Sequence, residues 1–128
     1  MSSIKPKADI KIAVNTRYLR EQSEPEAQRY AFAYTIEITN CSEQVVTLLN
    51  RHWRITDDNN RVEEVRGDGV IGQQPVIHPG QSFHYTSGAI IGTEFGTMDG
   101  SYEMLGADGI RFKANIPPFL LARPHTVH

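Results

Sequence analysis

Arg66-Gly67-Asp68-Gly69-Val70-Ile71-Gly72-Gln73-Gln74-Pro75 carries three glycines at G-x-G-x-x-G spacing, and the reading of that stretch decides the fold. In a dinucleotide-binding unit the third glycine opens a helix, whose N-terminal N–H groups and dipole hold a pyrophosphate. Here the residues after Gly72 run Gln73-Gln74-Pro75-Val76-Ile77-His78-Pro79-Gly80. Each proline pushes the residue before it out of the α region, and a helix interior cannot hold such a pair without losing hydrogen bonds and clashing. No helix can start at Gly72. A P-loop fails as well, because no Gly-Lys-Ser/Thr follows. The stretch is therefore expected to be a sharp turn in an all-β domain, its glycines supplying positive φ at a bulge or a strand-to-strand crossover.

An anion site remains open to such a loop without a helix, since successive amides around glycines can turn inward and form a concavity. On this reading Arg66, Gly67, Gly69 and Gly72 are the candidate phosphate or pyrophosphate site, with Arg61 as a further cation and Asp68 opposing the anion. Charge-assisted hydrogen bonds contribute roughly 1.5–3 kcal/mol each, while even millimolar affinity needs about −4.1 kcal/mol net. Two or three amides facing an aspartate give weak binding at best.

Outward from the loop, the pattern is one of short strands. Tyr30, Phe32, Tyr34, Ile36 and Ile38 alternate with Ala31, Ala33, Thr35, Glu37 and Thr39, a strand over 29–40 with its aromatic and β-branched face in the core. Before it, Ile10, Ile12 and Val14 mark a half-buried strand, followed by a polar, mobile loop over 17–29. After it, strands are expected over 45–56 with Trp53 inside, over 61–66, over 82–91, over 102–105 and over 110–116. Turns fall at Asp57-Asp58-Asn59-Asn60, at His78-Pro79-Gly80-Gln81 in type II form, and at Gly106-Ala107-Asp108-Gly109. A loop is expected over 92–97, and Pro117-Pro118 should stop the last strand, with Phe119, Leu120 and Leu121 docking beyond it. The sum is a single domain over 1–128, with a loose arm at 1–7 and a polar tail at 122–128. Its class is an all-β, immunoglobulin-like sandwich of two antiparallel sheets. Gly100-Ser101-Tyr102-Glu103-Met104 matches the start of an immunoglobulin F strand, with Tyr102 as corner tyrosine and Met104 in place of the cysteine.

At 128 residues the chain can bury roughly two-thirds of its unfolded surface. A formal charge of −2 leaves no basic footprint for nucleic acid, and the basic residues, Arg51 and Arg54 among them, are expected on solvated strand faces. No apolar run is long enough to span a membrane, no signal peptide is evident at the start, and the lone Cys41 rules out an intrachain disulfide, so a cytoplasmic protein is expected. His52, His78, His84, His125 and His128 show no ligand spacing, and Asp57, Asp58, Asp68 and Asp99 form no cation-binding loop, so neither a metal nor a cofactor is expected. Ser87 and Ser101 lack the G-x-S-x-G elbow, and no catalytic set is legible.

One resemblance covers essentially the whole chain. Tyr30-Ala31-Phe32-Ala33-Tyr34-Thr35-Ile36, Leu49-Asn50-Arg51-His52-Trp53-Arg54-Ile55, the glycine loop through Pro75, Pro79-Gly80, Tyr85-Thr86-Ser87-Gly88, Met98-Asp99-Gly100-Ser101-Tyr102 and Ile116-Pro117-Pro118-Phe119 resemble, in order, the ApaG family. The resemblance implies a stand-alone bacterial protein with a fibronectin type III-like sandwich, the family's glycine motif falling on Gly67, Gly69 and Gly72. It also implies a family-level link to cobalt and magnesium efflux. Related domains in eukaryotic F-box and polymerase-interacting proteins point to protein binding. Two functional expectations follow. The first is a non-enzymatic module that binds a protein partner, with a homodimer through a sheet edge also open. The alternative is a small-ligand sensor or hydrolase acting on pyrophosphate or a dinucleoside polyphosphate at the glycine loop.

Overall fold

The structure, a computed structural model, describes residues 9–125. The expected arm at 1–7 and the end of the expected tail, 126–128, lie outside them. Alternation sets the layers. Along β2 (Tyr30–Asn40) the residues Tyr30, Phe32, Tyr34, Ile36 and Ile38 all face the core. β1 (Ile10–Tyr18) lies antiparallel on one side of β2, and β6 (Ser82–Ile91) on the other. The second sheet runs β4 (Val62–Asp68), β3 (Val46–Asp57), β7 (Phe95–Gly106), β8 (Arg111–Ala122), with the two-residue β5 (Val76–Ile77) also on β3. All pairings are antiparallel. The chain is thus an all-β sandwich of two antiparallel sheets, with the first, second and sixth strands parted from the rest as in immunoglobulin-type folds. No helix among the described residues is long and apolar enough to cross a membrane.

Three expectations from the sequence are corrected. The prolines do not stop the last strand: β8 passes through Pro117 and Pro118 to Ala122. Met98 pairs with Phe119 and Gly100 with Ile116, so the two prolines oppose Asp99 alone in a bulge on an edge strand, where a missing N–H is tolerated. β7 likewise begins at Phe95, not after a loop over 92–97. Gly96 reads as a loop signal, but it lies within the strand, where a Cβ would sit 2.5 Å from the Thr56 carbonyl oxygen and only glycine fits. The stretch 17–29, expected as a loop, opens with the end of β1 and carries two single-turn 3₁₀ helices, Arg20–Gln22 and Pro25–Ala27, with Ala31 N–H donated to the Ser23 hydroxyl at 2.8 Å.

Trp53 is buried at the centre of the interface, edge-on to Tyr34, Tyr102 and Phe119 with ring centroids 5.3, 6.2 and 5.8 Å away. Such pairs add about 0.5–1.5 kcal/mol each beyond area burial. Tyr102 is no corner tyrosine. Its hydroxyl crosses to the other sheet and pairs with that of Tyr85 at 2.5 Å, both residues buried. The Trp53 indole Nε1 is buried without a hydrogen bond of good geometry, although it lies close enough to the Tyr85 phenol to act on it. Among the described residues Asn40 is the buried polar one, and both ends of its amide are used. Its Nδ2 donates to the carbonyls of Gln44 (2.8 Å) and Ile77 (2.9 Å), and its Oδ1 accepts from Ser42 N–H (2.9 Å), fastening β5 to the end of β2.

Replacing either tyrosine by phenylalanine strands the other hydroxyl, so Tyr85→Phe and Tyr102→Phe should each cost on the order of 1–3 kcal/mol in urea denaturation, and the double variant less than the sum. Burial, foremost, raises both phenols above the ordinary value of 10.0. The folded state therefore keeps two protons that the unfolded chain gives up near pH 10. Stability from this pair is fully present below pH 10 and declines as pH rises beyond it, and the decline should be shallower in the double variant.

Candidate functional site

The glycine loop interrupts one edge of the larger sheet. β4 and β5 run in the same direction along the same side of β3: Asn50 faces Asp68, and Thr47 faces Val76. Three steps along β3 thus match eight along the opposing chain, and the excess is the loop. β3 itself bulges at Leu49, between the Leu48–Met104 and Asn50–Glu103 pairs. The bulge frees the Leu49 carbonyl, which accepts from Gly69 N–H and from Gln74 Nε2, both at 2.8 Å. Leu48 N–H donates to the Pro75 carbonyl at 3.0 Å on the far side of the loop.

Arg51 then pins the loop from inside. It shares the core-facing side of β3 with Trp53 and Ile55 and is paired directly with Gly67. A Cβ on Gly67 would meet the Arg51 guanidinium at 2.8–2.9 Å, so the missing side chain is the space the guanidinium occupies. Its Nη1 donates to the carbonyls of Asp68 (3.1 Å) and Gly69 (3.0 Å). The expectation that Arg51 sits on a solvated face is thereby corrected: the half-buried cation neutralises carbonyl dipoles at the end of the core, where it also favours ionisation of Tyr85 and Tyr102 weakly against the larger effect of their burial.

Beyond Gly69 (φ +61°) the chain makes a miniature hairpin. Val70 and Gln73 exchange hydrogen bonds at 2.8 and 2.9 Å around Ile71 (φ +41°) and Gly72 (φ +77°), the positive pair of a type I′ turn. Such turns take Asn-Gly or Gly-Gly, and an isoleucine there is a genuine outlier because its branched Cβ crowds the following carbonyl. Ile71 is nonetheless 54% exposed while Val70 beside it is wholly buried. A strained, water-facing apolar side chain is therefore held at the tip of a fastened loop.

The four residues proposed as an anion site meet only in part. Arg66 and Gly67 border a shallow depression of about 350 Å³ with Asn50, Arg51, His52 and Asp68. Gly69 turns its N–H away to Leu49, and Gly72 sits at the hairpin tip. Arg66 is exposed, while Arg61 lies at the other end of β4 in a separate cleft. Asp57 serves its turn, its Oδ1 accepting from Asn59 and Arg61 N–H at 2.9 Å. His52 pairs with Glu64 (3.0 Å) and His84 with Glu37 (3.2 Å) across strands. Among the described residues no group of three or more His, Cys, Asp or Glu is placed to hold a metal ion. Arg51 and Ile71 are what sequence reasoning missed. Arg51 gave no signal without the register, whereas isoleucine between two turn glycines was legible as a conflict.

The three glycines are needed for three different reasons, and alanine substitutions should separate them. Gly72→Ala meets only the left-handed backbone, costing about 1–2 kcal/mol. Gly67→Ala has no left-handed backbone to meet, but it must expel the guanidinium, whose atoms lie 2.8–2.9 Å from the new Cβ. Gly69→Ala is the worst, since its Cβ would lie 2.1 Å from the Gln73 carbonyl oxygen. Denaturation midpoints should fall in that order.

The ApaG domain family matches residues 20–106 of the chain. Protein ApaG of Pseudomonas putida (strain W619) is 55% identical over 123 residues, 96% of this chain and 98% of that one. Protein ApaG of Stenotrophomonas maltophilia (strain K279a) is 56% identical over 119 residues, 93% and 94% of the two chains. The crystal structure of the putative ApaA protein of Bordetella pertussis superposes with a TM-score of 0.91 at 49% identity, covering 97% of this chain and 100% of that one. With the interrupted edge strand and its glycine motif in place, these matches show that the chain belongs to the ApaG family.

Proposed function

We propose that the chain is a non-enzymatic protein-binding module that uses the tip of its glycine loop as an apolar anchor. The observation that carries this is Ile71: exposed, β-branched, and at φ +41°. Strain of this kind costs on the order of 1–3 kcal/mol and persists where the surroundings over-determine it, which happens at ligand clamps and binding loops. The surroundings here are the Arg51, Leu49 and Gln74 hydrogen bonds. A rigid apolar anchor enters a partner's pocket with little entropy left to lose. The family-level link to cobalt and magnesium efflux is then met through protein contact in the cytoplasm and not through an ion held by this chain.

Ile71→Gly relieves the strain and removes the anchor, so it should raise stability by about 1 kcal/mol while lowering binding. The readout is photocrosslinking in the native cell from a photoreactive residue at position 73. Discrete protein adducts are expected, and they should vanish when Ile71→Gly is added. Adducts no stronger than those from a control at Asn115 would count against the proposal.

A weak phosphate or pyrophosphate ligand at Arg66, Gly67, Gly69 and Gly72 is the second reading, favoured by the depression beside Arg66. Against it stand the commitment of Gly69 N–H to Leu49 and of Arg51 Nη1 to two carbonyls. Titration with phosphate, pyrophosphate and diadenosine tetraphosphate, with and without magnesium or cobalt, should leave the three glycine amide resonances in place. A saturable shift with Kd below about 1 mM, worth −4.1 kcal/mol, would reverse the order of the two readings.

A further inference from the structure

We propose that the free edge of β6 accepts an extended segment of a partner protein as a fourth strand of the smaller sheet. This rests on the protein-binding reading for its class of ligand but on a different surface, and three observations lead to it.

The first is the phase of the ladder. Asn40 N–H donates to the Gln81 carbonyl at the open end of the β2–β6 register, while on the other side of β2 Leu19 N–H donates to Ala31 and Cys41 N–H to Asp9. Antiparallel pairs alternate between bonded and non-bonded. The even residues of β2 therefore bond to β6 and the odd ones to β1. It follows that Phe83, Tyr85, Ser87, Ala89 and Ile91 give their backbone groups to β2. Ser82, His84, Thr86, Gly88 and Ile90 turn theirs outward, and none of these takes part in a turn or loop backbone hydrogen bond among the described residues.

The second is the absence of protection. Natural sheet edges are blunted by bulges, prolines, charges or cover. The β8 edge carries the Pro117-Pro118 bulge and approaches β1, with the Thr16 hydroxyl 3.4 Å from the Leu120 carbonyl oxygen. β1 adds Lys11 and Arg17, and β4 carries Glu63, Glu64, Arg66 and Asp68. β6 has no Lys, Arg, Asp, Glu or Pro over ten residues of unbroken register.

The third is a missing width. The sheets adjoin at β1 and β8, yet one runs three strands wide and the other four, so β4 overhangs β6. Under the overhang lies a cleft of about 190 Å³ between Ile55, Asp57, Arg61 and Glu63 on one sheet and Ile90, Ile91 and Gly92 on the other. One added strand fills that width. A second copy pairing through β6 does not, because antiparallel pairing keeps both larger sheets on the same side and drives one overhanging β4 into the other. The occupant is therefore a proline-free extended peptide. It sets alternate apolar side chains over Val65 and Ile91 and a lysine or arginine against Glu63.

The probe is a synthetic ten-residue peptide chosen from a random displayed library against the intact protein. Binders are expected to alternate apolar and polar residues, to include a basic one, and to slow amide exchange at Thr86 and Gly88. Thr86→Pro removes an outward N–H together with the exposed hydroxyl contact to Thr35 and should weaken binding at least tenfold, and Ile90→Lys should do the same where the proline variant folds poorly. Ile71→Gly should leave the affinity unchanged. Selection that yields no binder, or self-association through β6, overturns the inference. Binders lost on Ile71→Gly but kept on Thr86→Pro overturn it too, while leaving the protein-binding proposal standing.

Discussion

The Arg51 guanidinium occupies the space where Gly67 has no side chain, and the most distinctive part of this fold depends on that contact. A cation at the rim of an apolar core is costly unless its donors are used. Here Nη1 is spent on the carbonyls of Asp68 and Gly69. Asp68 is the last residue of β4 in register with β3, opposite Asn50, and the carbonyls Nη1 holds are those at which the chain leaves the strand. One side chain thus closes the end of the sandwich and fixes where the edge strand departs.

The loop is consequently an excursion with both ends tied, to Leu49 and Gly69 on one side and to Leu48 and Pro75 on the other. Asn40 ties the next element, holding the Ile77 carbonyl at the end of β5. With its roots fixed, the hairpin can carry a residue that turn chemistry disfavours. Local and global preferences agree through the aromatic core and part company at Ile71, which is where function is expected in an otherwise consistent sequence. The glycines that suggest a nucleotide site serve the backbone instead: one makes room for a cation, one lets the chain pass under the Gln73 carbonyl, and one completes a turn.

Much of this was legible from the residues. Proline after the third glycine excluded a helix, and period-two alternation placed Tyr30 through Ile38 and Trp53 in the core, because both signals act within a few residues of chain. What stayed hidden depends on register. Pro117-Pro118 reads as a stop unless a bulge opposite Asp99 is known, and Gly96 reads as loop unless the Thr56 carbonyl is known to pass close to it. Tyr102 suggested a corner because its neighbours fit that motif, but its hydroxyl partner, Tyr85, belongs to the other sheet. The anion site was inferred from spacing, which says nothing about where an amide points. Once Gly69 is seen donating to Leu49, the same spacing describes a turn.

The claim at the centre is that the loop spends its amides internally and so displays a side chain. Amide hydrogen exchange on the wild-type protein, resolved by residue, measures this directly. Gly69, Val70 and Gln73 should be slowed roughly a hundredfold or more relative to an unstructured peptide, in line with ordered hydrogen-bonded structure. Exchange of those amides at the free-peptide rate, with β2 and β6 still protected, would contradict the account.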